Sequence, residues 1–271
     1  MSFKHLSWIL LCLCCAASPV RAQTLHVISA VDIHDFDLGA WFGVNSDHVE
    51  TSTKYLATAA DLKLKFTKIT NPERKTIACQ AILDSVKSLQ VQPDDVVLFY
   101  YSGHGFRPED QRDSSNIFPW FVCDDFPPPG KTPNLMDVHA ALLQKHARLT
   151  ITIADACNNF LQEGVAAPRM ARIEGAARIK AMLRQFRGGL VMSGSKRGQF
   201  SYYFTTGGYF TNQLLEVLEN PLEGSPSQLW AEAIKRATAP MQIQLQASVE
   251  QQDPQASDPA DLVYVAELST K

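Results

Sequence analysis

Apolar runs and helical stripes alternate along the chain. Residues 24–32 (TLHVISAVD) form a β-branched run that predicts a first strand. Ser46 and Asp47 offer a cap for a helix running through Tyr55 and Leu56 to about Leu62. Residues 64–69 (LKFTKI) predict a second strand. Asn71-Pro72-Glu73 is a helix start with proline in its first turn, and Ile77, Ala78, Ala81, Ile82, Val86 and Leu89 mark one face of that helix. Residues 96–101 predict a third strand, and Asn134 opens a helix with Leu135, Val138 and Leu142 on one side. Residues 149–154 and 189–193 read as the fourth and fifth strands, 210–218 and 228–238 as helices, and 262–268 as a final strand. The stretch 242–258, rich in Gln, Asp, Ala and Pro, reads as an irregular loop.

Strands alternating with helices predict an α/β fold: a mainly parallel sheet with helices on both faces. Ligands of such sheets gather at the carboxyl ends of the strands. Two unusual polar clusters fall there. SGHG (102–105) follows the third strand, and DACNN (155–159) follows the fourth.

The first 22 residues stand apart. Lys4 and His5 precede an apolar run from Leu6 to Ala17, and Val20-Arg21-Ala22 resembles a cleavage site. The pattern predicts a secretory signal with cleavage after Ala22, and hence a secreted or periplasmic chain covering 23–271. The alternative, a retained membrane anchor, calls for an apolar run of about 20 residues. The formal net charge is −3, and no basic stripe is interleaved with aromatics, which argues against a nucleic-acid partner. No further segment is apolar enough to span a membrane.

Beyond the signal segment the cysteines are Cys79, Cys123 and Cys157, without the paired spacing of a zinc site. Cys79, in a helical pattern, and Cys123, after a strand-like run, are most simply buried thiols. A disulfide between them is open but has no support in the sequence. Cys157 differs because it shares a strand-end placement with His104, at a separation close to the roughly 50 residues of caspase-like His and Cys. Gly103 and Gly105 leave the His104 imidazole uncrowded. A thiolate attacks a carbonyl, a nearby imidazole moves the protons, and the N–H of Gly105 is open to a developing oxyanion. Taken singly, a loop histidine is usually a surface group and a strand-end cysteine usually packing.

These segments carry a resemblance. DDVVLFYYSGHG (94–105), LTITIADACNN (149–159), GGLVMSGSKRGQFSYY (188–203) and GGYFTNQLLEVL (207–218) are similar to the caspase and metacaspase superfamily of cysteine peptidases. The pattern covers most of the chain in the right order and looks closer to bacterial metacaspase-like members. The resemblance implies a three-layer fold with a mainly parallel six-stranded sheet. It implies His104 as general acid/base, Cys157 as nucleophile, and the N–H groups of Gly105 and Cys157 as oxyanion donors. It also implies that Asp155 lines the pocket for an Arg or Lys side chain, through a charge-assisted pair. A structural cap is the other reading of Asp155. Ser102 and Asp32, at neighbouring strand ends, are weaker pocket candidates.

The chain departs from the metacaspase pattern in two places. Asn158-Asn159-Phe160 replaces the usual His-Ser-Gly. Lys196-Arg197 stands where acids often assist the pocket, and cations pointing inward would oppose a basic substrate residue. No cofactor is required by these residues. Calcium, which many metacaspases bind, has oxygen donors in Asp110, Asp113, Asp124, Asp125 and Asp137, though without a calcium-loop spacing. The basic stretch 161–187 reads as a partly helical linker, with Arg169, Arg172, Arg178, Lys180, Arg184 and Arg187 as sites of self-cleavage or as the polar face of a helix. The expected function is an exported cysteine endopeptidase acting on peptides or proteins after Arg or Lys. The alternatives are a catalytically silent caspase-like module that binds peptides or protein partners, and a hydrolase or transferase outside proteolysis using the same dyad on another carbonyl. The sequence leaves the oligomeric state open.

Overall fold

The computed structural model describes residues 22–71, 76–111, 114–123, 132–159, 176–220, 222, 224–244 and 248–265. In chain order the elements are β1 (Thr24–Val31), α1 (Gly39–Ala59), β2 (Lys63–Thr70), α2 (Cys79–Ser88), β3 (Val96–Ser102), β4 (Gly105–Phe106), β5 (Trp120–Phe121), α3 (Leu135–Leu143) and β6 (Leu149–Asp155). They continue with α4 (Ala176–Arg184), β7 (Phe186–Ser193), β8 (Tyr203–Phe204), β9 (Gly207–Gly208), α5 (Tyr209–Glu219) and α6 (Leu229–Ala237). The chain closes with β10 (Met241–Gln244), β11 (Val249–Gln252), β12 (Gln255–Ala256) and β13 (Leu262–Tyr264).

The central sheet runs β2-β1-β3-β6-β7, all parallel. β1, β3 and β6 are buried along their whole length, which is why they read as continuous apolar runs. Alternate side chains go to opposite layers. Val27, Leu98, Ile151 and Met192 meet α1, α4, α5 and α6 through Val49, Ile179, Leu214 and Trp230. Ile28, Val97, Phe99 and Val191 meet α2 and α3 through Ile82, Val86, Val138 and Leu142. The sheet has seven strands rather than six, because β12 and β13 share the outer edge of β7, both antiparallel to it.

Several expectations are corrected. α1 begins at Gly39, well before Ser46 and Asp47. Asn45 and Ser46 are fully buried inside the helix rather than capping it, and Asn45 donates to Ser102 Oγ at 3.0 Å. α2 begins at Cys79; ahead of it the N–H of Ile77 donates to Asp32 Oδ1 at 2.7 Å, and Asn71 Oδ1 accepts from His34 N–H. The end of the expected linker is α4 and the start of β7: Ile179, Met182 and Leu183 are buried, and Arg148 donates to the last carbonyls of the helix at Leu183 and Arg184. Arg169 and Arg172 lie outside the described residues, as do residues 1–21. The stretch expected to be irregular contains the β10–β11 hairpin and β12.

Cys79 and Cys123 are joined in a disulfide, not held as separate buried thiols. The fold supplies the reason. α2 and the segment after β5 lie against the same face of the sheet, where Cys79, Phe121 and Cys123 share one apolar cluster. Among the described residues, no helix is long and apolar enough to cross a membrane.

Candidate active site

The β3–β6 register places Ser102 opposite Asp155. His104 and Cys157 each follow two residues later, so the same end of the sheet delivers both. The two turns touch: a side chain on Gly105 would drive its Cβ into the Cys157 carbonyl oxygen and to 2.8 Å from Ala156 Cβ. Gly105→Ala is therefore expected to push the two turns apart, destabilising the fold by about 1–3 kcal/mol and lowering kcat, as melting and peptide hydrolysis would report.

The backbone of His104 is fixed by its carbonyl, which accepts from Tyr101 Oη at 2.8 Å and Val122 N–H at 3.0 Å. The second of these bonds makes Gly105 and Phe121 a non-hydrogen-bonded pair of the β4–β5 ladder. The Gly105 N–H is thereby turned away from Phe121. The imidazole is about a third exposed, with Phe42 edge-on at 5.7 Å. Its Nε2 lies 3.1 Å from Asp35 Oδ2. That hydrogen bond, set against burial and aided by the charges of Asp35, Asp32 and Asp37, raises the His104 pKa above 6.5.

Cys157 is a free, partly exposed thiol whose Sγ lies 3.6 Å from the carbonyl of Ser201, to which it donates. Burial pushes its pKa up to about 11, so the resting group is S–H at neutral pH. Asn158 explains one departure from the family pattern. It is fully buried and accepts from Arg107 Nε at 3.1 Å, while donating to Ile117 O at 2.7 Å. Arg107, itself buried over Trp120, also donates to the carbonyls of Gln111, Asn116 and Phe118. The pair stitches the turns after β3 and β6 together.

Asp155 is fully buried. Its Oδ1 accepts from Ser201 Oγ at 2.5 Å and its Oδ2 from Thr211 N–H and Oγ1 at 3.0 and 2.6 Å. Burial raises its pKa against these bonds. Among the described residues no cation pairs with it. Gly194 and Gly208 lie beside the carboxylate, where a Cβ on either would collide with it. Ser102 and Asp32 also turn inward: Ser102 accepts from Asn45, and Asp32 braces Ile77 beneath Gly103. Lys196 and Arg197 point elsewhere. Lys196 pairs with Asp253 at 3.6 Å, and Arg197 donates to the carbonyls of Ser114 and Asn116.

Three residues at the site escaped the sequence reading. Asp35 contacts His104, although in DIHDFD it is one acid among three. Gln252 and Gln255 lie in the supposed loop, yet both are buried. Gln252 accepts from Tyr202 N–H and donates to Gly194 O, and Gln255 donates to Ile117 O and Ser195 O. The alternation of Met241 and Ile243 with Gln242 and Gln244 was the strand signal available. Of the acids considered for calcium, Asp137 belongs to the capping box of α3 with Asn134. Asp113, Asp124 and Asp125 lie outside the described residues. Among the described residues no cluster of three or more His, Cys, Asp or Glu is arranged to hold a metal ion.

A family model described as a caspase domain matches residues 54–260. The crystal structure of caspase-1 from Spodoptera frugiperda is similar in fold, with a TM-score of 0.51 and 16% identity over 87% of this chain and 86% of that one. No curated protein matches the chain.

Proposed function

Because the chain belongs to the caspase-domain family of cysteine endopeptidases, we propose that it is exported and cuts peptide bonds after Arg or Lys, with Cys157 and His104 as the reacting pair. Cys157 Sγ attacks the substrate carbonyl carbon as its proton passes to neutral His104. The oxyanion is met by the N–H groups of Gly105 and Cys157. His104 returns the proton to the leaving amine, and water then hydrolyses the thioester. With burial pushing the Cys157 thiol up to about 11 and Asp35 raising His104, this reading has the proton move on attack rather than beforehand.

The observation carrying the specificity is the Asp155 carboxylate, two residues before Cys157, buried with hydroxyl and amide donors alone. A buried carboxylate without a counter-cation is costly, and an incoming guanidinium or ammonium supplies what is missing. Lys196 and Arg197, engaged elsewhere, do not oppose it. Export is supported by the leader pattern and by the Cys79–Cys123 disulfide, a bond that persists in oxidising compartments.

Fluorogenic peptides bearing Arg, Lys or Asp at the cleaved position, with calcium added or chelated, test the reading. Arg and Lys peptides are expected to exceed Asp peptides at least about tenfold in kcat/KM, the ratio set by one charge-assisted bond. Equal rates, or a preference for Asp, would remove Asp155 from specificity. Intact peptides throughout would favour the silent module.

A further inference from the structure

His104 needs more than a place at the same end of the sheet as Cys157. A free imidazole ring turns, and a proton shuttle is effective only if the correct nitrogen faces the thiol. The structure holds the ring from one side. Asp35 sits in the turn between β1 and α1, and its carboxylate is itself fixed: Oδ1 accepts the N–H groups of Asp37 at 3.0 Å and Leu38 at 2.8 Å. This leaves Oδ2 for His104 Nε2, at 3.1 Å. The Asp35 side chain is only 14% exposed, so solvent screens the pair less than a surface ion pair. Phe42, in the first turn of the helix that this segment introduces, closes the ring's flank and is itself edge-on to Tyr203 at 4.8 Å.

We propose that Asp35 is a third member of the site, a positioning residue that holds His104 through Nε2 and leaves Nδ1 as the nitrogen exchanging protons with Cys157. The proposal rests on the reading of His104 as the proton shuttle. In the attack step the S–H proton moves to Nδ1, and the Nε2–H stays on the ring, donated to Asp35. The carboxylate keeps its charge and stabilises the imidazolium. The Nδ1 proton then goes to the departing amine, and the ring returns to neutral. The other charged groups that act on the ring are Asp32 and Asp37 from the same turn, through charge alone; the Tyr101 hydroxyl is engaged with the His104 carbonyl.

The test compares Asp35→Asn, Asp37→Asn and His104→Ala on two substrates that differ in charge at the cleaved residue. The amide introduced by Asp35→Asn keeps an Oδ1 acceptor for the two N–H groups of the turn. Asp35→Ser, uncharged but still an acceptor, is the second variant should the first melt early. The expected result for Asp35→Asn is a fall in kcat of about 10- to 100-fold on both substrates with KM within about twofold. The acid limb of kcat/KM, set by His104, should move to lower pH, because the charge that raises the imidazole pKa is gone. Asp37→Asn should change kcat by less than about threefold. An unchanged kcat in Asp35→Asn, or a loss confined to KM for the cationic substrate, would overturn the positioning role; the second would make Asp35 a specificity residue. If His104→Ala retains full activity, the proton-shuttle reading fails first. If His104→Ala is inactive while Asp35→Asn is normal, only the role of Asp35 fails.

Discussion

Replacing Cys157 with alanine is expected to lower peptide hydrolysis by at least about 10³-fold while leaving the melting temperature nearly unchanged. The site explains both halves of that result. Cys157 is partly exposed just past the end of β6, and the hydrogen bond from its sulfur to the carbonyl of Ser201 is a weak one. Losing the sulfur therefore opens little space in the core. The chemical loss is nearly total, because Asn158, its neighbour, is already committed to Arg107 and Ile117 and no other thiol lies free among the described residues. His104→Ala should fall nearly as far. The double variant should be little worse than either alone, since the two groups act as one unit. Activity persisting in Cys157→Ala would mean that another group performs the attack, and the assignment of both residues would fall together.

The second large effect is on stability. The Cys79–Cys123 disulfide closes a loop with a sequence separation of 44, and chain-entropy reasoning gives it about 4 kcal/mol. Cys79→Ser with Cys123→Ser is expected to lower the melting temperature by about 10 °C under non-reducing conditions. Both cysteines are buried, so reductant sufficient to keep Cys157 free should leave the native disulfide intact. Activity is expected to fall with the double variant as well. Cys123 directly follows Val122, whose N–H holds the His104 carbonyl, and Phe121 stacks on Tyr101 at 4.2 Å. A double variant that melts with the native protein would show that the sheet alone holds this segment.

The parts legible in the sequence are those set by local pattern. β1, β3 and β6 are buried on both faces, so their residues are apolar with little interruption, and no tertiary knowledge is needed to find them. His104 and Cys157 follow from the strand ends because a parallel sheet delivers those ends to one place. What stayed hidden depends on contacts between distant segments. Ser46 and Asp47 look like a helix start, yet the helix is already under way there, and Asn45 beside them is polar because it bonds Ser102 and Gly208 inside the protein. Gln252 and Gln255 look like a solvated tail, yet they satisfy carbonyls left open where β7 ends. The disulfide carries no spacing signal at all; only the stacking of α2 against the segment after β5 brings its cysteines within reach. Asp35 was concealed by company, since Asp32 and Asp37 flank it and only the turn geometry singles out the one that meets the ring.

The two margins of the sheet also bear on how copies of this molecule can meet. At one margin β12 and β13 already bond to β7, covering Phe186–Gly188 and Met192–Ser193. At the other, β2 exposes Lys63 and Lys65 on one face and Lys68 on the opposite face, where Lys68 pairs with Glu50 at 3.9 Å. Edge lysines disfavour pairing of β2 with a second copy, and at the opposite margin the outer edge is left to β12 and β13, which are too short to template a long ladder.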